Sequence, residues 1–160
     1  MEDIVSGAKE NFTRAKDRMV KVLAETPDDR INWSPTETAR TPVQLVAHAA
    51  AALGSITDFC SGRPVNLPDT AGADKKFREW EKQCTSREEA LALLEKNSAA
   101  HVALLDSLTP DSFAKMVQLP FGMGEVPLAA VITVGGDHTR FHCAQLEYVQ
   151  TIYGDRDWHM

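Results

Sequence analysis

Apolar residues recur along most of this chain at intervals of three and four, the repeat of an amphipathic helix. Between Asp3 and Glu25, the residues Ile4, Ala8, Phe12, Ala15, Met19 and Val22 fall on one stripe. "TPDD" then ends the helix, because Pro27 cannot continue the hydrogen-bond ladder. A second helix is predicted from Thr41. In "TPVQ", Thr41 suits the N-cap, Pro42 the first helical position and Gln44 the reciprocal capping-box position. Its inward stripe is Leu45, His48, Ala52, Ile56 and Phe59, and its alanine-rich middle, "AHAAAALG", admits a close neighbour. A third helix begins at "SREE", where Ser86 and Glu89 make another capping box. Leu91, Leu94, Ser98, His101, Leu105 and Leu108 line up along it until "TPDS". The last helix is predicted from near Pro127 to about Tyr153, with Leu128, Val131, Gly135, His138, His142, Gln145, Val149 and Ile152 inward. Four such helices predict an all-α fold, a four-helix bundle forming a single domain over residues 1–160.

Two connections interrupt this regularity. Ser61 to Cys84 holds Gly62, Pro64, Pro68 and Gly72, which predict a loop followed by a short helix around Lys75 to Gln83. A connection of this length in a compact domain often has a function, for example as a lid. "FAKMVQLPFGMGEVP" predicts a short strand pair turning at Gly122 to Gly124.

Composition narrows the functional classes. Hydrophobic content is 43% and charged content 25%, ordinary for a globular domain. The formal net charge of −6 makes a nucleic acid an unexpected partner. The charged N-terminus lacks the apolar stretch of a secretory signal, and no apolar run is read as a membrane span. Cys60, Cys84 and Cys143 are odd in number and have no CxxC spacing, which fits a reducing cytoplasm better than a disulfide framework.

The stripes hold the candidate chemistry. His138 and His142 stand four apart on the last helix, so their imidazoles point nearly the same way. With five histidines in the chain, that spacing alone is weak evidence. Their position, on an apolar stripe shared by His48 on the second helix, says more. An unpartnered buried polar group costs on the order of 1–3 kcal/mol. One divalent cation bound by three neutral imidazoles would answer for all three residues. Three core histidines, each satisfied by a hydroxyl or a carbonyl, would answer equally. A three-histidine site without a fourth protein ligand leaves a coordination position for water or substrate, the arrangement of a catalytic metal.

At these residues the chain resembles the DinB-like (YfiT-like) metalloenzymes. "INWSPTE" at Ile31–Glu37 is similar to the family's Trp-x-Pro stretch before the second helix. "TPVQLVAHAA" at Thr41–Ala50 resembles its single-histidine motif, and "HTRFHCAQLEYVQTIYG" at His138–Gly154 its closing His-x3-His-x2-Gln motif. The resemblance implies an up-down-down-up bundle, in which the long link between the second and third helices gives the parallel step. It implies that His48, His138 and His142 bind a divalent metal, nickel or zinc. It also implies a homodimer and thiol-dependent chemistry, since characterised relatives include S-transferases and isomerases that use low-molecular-weight thiols. One departure is Cys143, where a small residue, often glycine, precedes the glutamine.

Other residues carry alternatives. His101 is a candidate fourth ligand, supporting group or general base, or a core histidine. Gln145 is a candidate partner for a ligand imidazole or metal-bound water, or an interhelical contact. Cys143 is read as a soft ligand, a nucleophile or a packed residue; Asp137 and His159 are read as solvent-facing. Trp33, Trp80 and Phe121 are candidates to wall a pocket, and Arg63, Lys75 and Lys76 to meet an acidic substrate. Gly135 and Gly136 suggest close approach of another backbone. Two functions follow. One is a divalent-metal-dependent enzyme on a small molecule, an S-transferase or a hydrolase. The other is a non-catalytic bundle that binds a metal or a ligand.

Overall fold

The computed structural model describes residues 2–67 and 69–158. His159 and Pro68, expected in the tail and the loop, lie outside the described residues. Helix α1 spans Glu2–Glu25, α2 Pro42–Cys60, α3 Thr70–Glu81, α4 Arg87–Asp106 and α5 Val134–Ile152. Strands β1 (Met116–Gln118) and β2 (Glu125–Pro127) form an antiparallel hairpin, with Val117 opposite Val126. Both expected capping boxes are present. The Thr41 hydroxyl accepts from the Gln44 amide at 3.3 Å, and Gln44 Oε1 accepts in return from the Thr41 amide at 3.1 Å. Ser86 and Glu89 repeat the exchange at 3.1 and 3.2 Å.

Pairs of contacts give each helix its direction. Asn11 bonds Asp137 at 3.2 Å, Arg18 bonds Glu147 at 2.5 Å and Gln150 donates to the Val22 carbonyl at 3.2 Å, so α1 and α5 run parallel. Asn97 donates to the Ala50 carbonyl at 2.7 Å and Thr57 meets His101 at 3.1 Å, so α2 and α4 also run parallel. Lys16 pairs with Glu95 at 2.7 Å and Arg87 donates to the Leu23 carbonyl at 3.1 Å, which makes α1 and α4 antiparallel. The result is an up-down-down-up four-helix bundle. The segment carrying α3 supplies the parallel step between α2 and α4.

The main core joins Met19, Val22 and Leu23 of α1 to Val43, Val46 and Ala47 of α2, with Leu94 of α4 and Leu146 of α5. A second cluster packs Ile56 and Phe59, at the far end of α2, against Val117 of the hairpin and Val131. The hairpin therefore closes one end of the bundle.

Three expectations are corrected. The last helix starts at Val134, not near Pro127, and Leu128–Ala130 is a short 3-10 turn. The amides of Leu128 and Ala129 donate to the carbonyls of Lys115 and Phe113, which pins this turn to the segment before β1, and Val131 leaves helical geometry at φ −127° before α5 begins. Ile4 and Ile152, at the ends of their stripes, are 49% and 47% exposed because the stripes run past the core. Helix α2 is long and apolar enough to cross a membrane by length and composition, with a mean hydropathy of 1.3, although most of it is buried within the bundle.

Candidate metal centre

Helix α5 is turned relative to its expected stripe. Its buried face is Gly135, Gly136, Thr139, Cys143, Leu146, Val149 and Gln150. His138, His142 and Gln145 stand beside that face and look toward α2. There they meet His48, whose side chain is 12% exposed. The ring centroids of His48 and His142 are 4.5 Å apart, those of His138 and His142 4.5 Å, and those of His48 and His138 5.7 Å. One nitrogen from each ring lies within 4.8 Å of the other two.

The backs of two rings are anchored. Glu81 Oε1 lies 2.5 Å from His48 Nδ1, and Gln145 Oε1 lies 2.7 Å from His142 Nδ1. An oxygen acceptor at Nδ1 keeps the proton there and leaves the Nε2 lone pair free. Glu81 is 1% exposed and reaches the site from α3. Arg40 Nε donates to its other oxygen at 2.6 Å, and Arg40 also pairs with Asp74 at 3.0 Å. Burial alone would raise the Glu81 pKa, but the hydrogen bonds from His48 and Arg40 outweigh it and hold the carboxyl below its usual value.

The two histidines of α5 are poor bases. Burial, with the nearby His48 and Arg40, lowers His138 to about 4. Burial, with His138 and His48 beside it, lowers His142 to about 3. Both are therefore neutral near pH 7, the form that binds a cation.

The donor set fits a divalent ion. Imidazole nitrogens about 2.0–2.1 Å from a tetrahedral ion stand roughly 3.3–3.4 Å from each other. His138 Nε2 and His142 Nε2 are 3.3 Å apart. No carboxylate belongs to the group of three, so a bound ion would keep an open position.

Beside the imidazoles lies a cavity of about 400 Å³, and His48 and His138 form part of its wall. Ile56 and Phe59 of α2 face it, as do Ala73 and Phe77 of α3. Leu119, Phe121 and Met123 of the hairpin turn close another side.

A family model for the DinB superfamily matches residues 11–146. This chain belongs to the DinB superfamily. No curated protein matches it in sequence. Among solved structures it is similar to YfiT from Bacillus subtilis, a probable metal-dependent hydrolase with an unusual four-helix bundle topology. The TM-score is 0.74 at 17% identity, over 96% of this chain and 90% of that one. It is similar to the mycothiol-dependent maleylpyruvate isomerase with a TM-score of 0.68 at 14% identity, over 89% of this chain and 60% of that one. It is also similar to the colibactin self-resistance protein ClbS, solved in complex with a dsDNA. There the TM-score is 0.64 at 17% identity, over 93% and 94% of the two chains. At these identities the likeness establishes the DinB fold.

Within that fold, the other sequence candidates take definite places. Gln145 touches a candidate ligand, His142. His101 stands outside the group of three: it is 1% exposed, meets Thr57 at 3.1 Å and packs edge-on against Phe12 at 5.0 Å. Burial lowers its pKa to about 4. Cys143 is packed in the core, where burial pushes its thiol up to about 12. Gly136 permits the expected backbone approach, since a Cβ there would stand 3.0 Å from the Phe12 amide nitrogen. Gly135 makes room for a side chain instead; its Cβ would stand 2.5 Å from His101 Nε2. Asp137 is half-buried and bonded to Asn11, not solvated as expected. Phe121 lines the cavity, whereas Trp33 packs on Tyr153 at 5.7 Å and Trp80 is 37% exposed. Arg63 pairs with Asp58 at 2.7 Å, and Lys75 lies 4.0 Å from Glu79 on the surface of α3.

The sequence reading missed Glu81 and Arg40. Glu81 sits in "FREWEKQC", one charge among several, and only the docking of α3 separates it from its neighbours. Arg40 directly precedes the Thr41 cap, which places it at the mouth of α2; its proximity to an N-cap was the one available signal.

Proposed function

We propose that this chain is a divalent-metal-dependent enzyme acting on a small molecule, with His48, His138 and His142 as ligands and zinc or nickel as the ion. The carrying observation is the convergence of three imidazoles from two helices, two of them oriented through Nδ1 by Glu81 and Gln145. A divalent ion held there would lower the pKa of a coordinated thiol or water and supply a nucleophile at neutral pH. Glu81 and Gln145 fix the ring orientations, and the apolar walls of the adjoining cavity keep bulk water from the electrophile.

The finer reading is S-transfer from a low-molecular-weight thiol. The thiol sulfur forms a bond to an electrophilic carbon, its proton passes to solvent and the leaving group departs with the bonding pair. The likeness to a mycothiol-dependent isomerase supports this reading. Hydrolysis, with water in place of the thiol, is supported by the likeness to YfiT. The dsDNA in the ClbS structure is a property of that complex, and a net charge of −6 on this chain opposes a polyanion. Three buried unpaired cysteines suit a reducing cytoplasm. A homodimer is supported by Phe141, Tyr148 and Ile152, which are 64%, 69% and 47% exposed along α5.

Metal analysis of the purified protein beside His48→Ala and His142→Ala tests the reading. About one ion per chain is expected in the parent and little in either variant; equal metal in all three removes the proposal. Turnover of a chromogenic electrophile with and without added thiol then separates S-transfer from hydrolysis, and turnover that chelator leaves unchanged favours a non-catalytic bundle.

A further inference from the structure

The cavity beside the imidazoles has a volume of about 400 Å³, within the range of small-molecule sites. Its lining does not suit the acidic substrate for which Arg63, Lys75 and Lys76 were candidates. Among the described residues, no lysine or arginine lines it. Asp74 is its one acidic side chain, and that charge is already engaged by Arg78 at 2.7 Å and Arg40 at 3.0 Å. Without an ion on the imidazoles, the side chains therefore offer an anionic guest no counter-charge there, and a cationic guest only a carboxylate already paired twice.

A second observation comes from the hairpin turn. The Met123 amide donates to the Pro120 carbonyl at 3.3 Å, which closes a tight turn over Pro120–Met123. Its two central residues, Phe121 and Gly122, have φ of 62° and 69°, the signs of a type I′ turn. That turn prefers Asn-Gly, since asparagine tolerates positive φ and phenylalanine does not. Phe121 is the one described non-glycine residue with positive φ. A bulky residue is held in a strained conformation there, and its side chain lines the cavity.

We propose that this cavity takes an uncharged, apolar, ring-bearing molecule, and that Phe121 is the specificity-determining wall against which the ring packs. Placing the molecule's reacting end toward His48 and His138 rests on the metal-enzyme reading; the binding preference does not.

The test uses the full-length, chelator-treated protein and two fluorescent probes with the same ring system. N-phenyl-1-naphthylamine is uncharged, and 1-anilinonaphthalene-8-sulfonate carries one negative charge. The neutral probe is expected to bind at least tenfold more tightly. Phe121→Asn suits the turn better, so its thermal midpoint should be unchanged or higher while its affinity for the neutral probe falls at least fivefold. Ser55→Lys, which puts a cation on the cavity wall, should erase the preference against the sulfonate. Equal binding of both probes by the parent, or undiminished neutral-probe binding by Phe121→Asn, overturns the proposal. Metal analysis is independent: protein that carries no metal yet prefers the neutral probe overturns the enzyme reading and supports the cavity assignment.

Discussion

Glu81 Oε1 lies 2.5 Å from His48 Nδ1, although 33 residues separate them and the carboxylate belongs to a helix outside the four-helix core. This contact ties the segment between α2 and α4 to the candidate metal centre. Partners at the back of a ligand imidazole set its tautomer and orientation, and losing one typically costs ten- to a hundredfold in metal affinity. Glu81→Gln is therefore expected to weaken zinc binding by about that factor, measured by competition with a chromophoric chelator. Glu81→Ala should also destabilise the fold by about 1–3 kcal/mol, because it leaves Arg40, whose side chain is 13% exposed, with only the exposed Asp74 and removes the partner of His48 Nδ1. Unchanged zinc affinity in Glu81→Gln would show that the contact does not position His48.

The proximity of His48, His138 and His142 was legible because the four-residue spacing on one helix and the single histidine on another put three imidazoles on facing sides. The bundle was legible because capping boxes and three-four periodicity mark helix starts locally. Glu81 was not, since it lies in a connection without long-range periodicity and is set apart only by docking against Arg40 and His48. The facing of α5 is also hidden in the sequence. His138, Gln145 and Ile152 fit the apolar spacing, but Cys143, Leu146 and Gln150 are what α1 and α2 bury. Two glycines and a cysteine hide that true face from a count of large apolar residues. The late start of α5 was not legible either, because nothing local reports that Leu128–Ala130 is held on Phe113 and Lys115 and that the backbone breaks at Val131.

His101 should make the metal-free protein sensitive to mild acid. Burial lowers its pKa from 6.5 to about 4, so between those values the unfolded chain binds a proton the folded one refuses. Stability is then complete above about pH 6.5 and falls as pH drops toward 4, by roughly 3 kcal/mol for a shift of this size. His138 and His142 act in the same direction. In His101→Gln, urea unfolding should show about 3 kcal/mol less loss between pH 7 and pH 4 than in the parent. An identical pH slope in the two proteins would mean that His101 titrates normally.

Gly136 and Gly7 should respond oppositely to alanine. Each substitution gains up to about 1 kcal/mol of helix propensity. At Gly7 nothing lies within 4 Å of the new Cβ, so Gly7→Ala should stabilise. At Gly136 the Cβ would press on the Phe12 backbone, 3.0 Å from its nitrogen and 3.1 Å from its Cα. Overpacking of this kind costs about 1–3 kcal/mol and should outweigh the gain. The thermal midpoint of Gly136→Ala is expected to fall by several degrees and that of Gly7→Ala to rise. A rise in both would mean that α1 can move away from α5 without loss.

A cation that binds the folded chain and not the unfolded one must raise stability in proportion to the logarithm of its concentration. With free zinc at about a hundred times its dissociation constant, the gain is roughly 2.7 kcal/mol. The parent's thermal midpoint should therefore climb with added zinc or nickel and return when chelator is added. His142→Ala should lose the effect, because it removes one ligand and frees Gln145 from its partner. His101→Gln should keep it, since that ring lies outside the group of three. A shift of equal size in the His142→Ala protein would place the bound ion elsewhere on the chain, and the three imidazoles would then be core histidines without a common ligand.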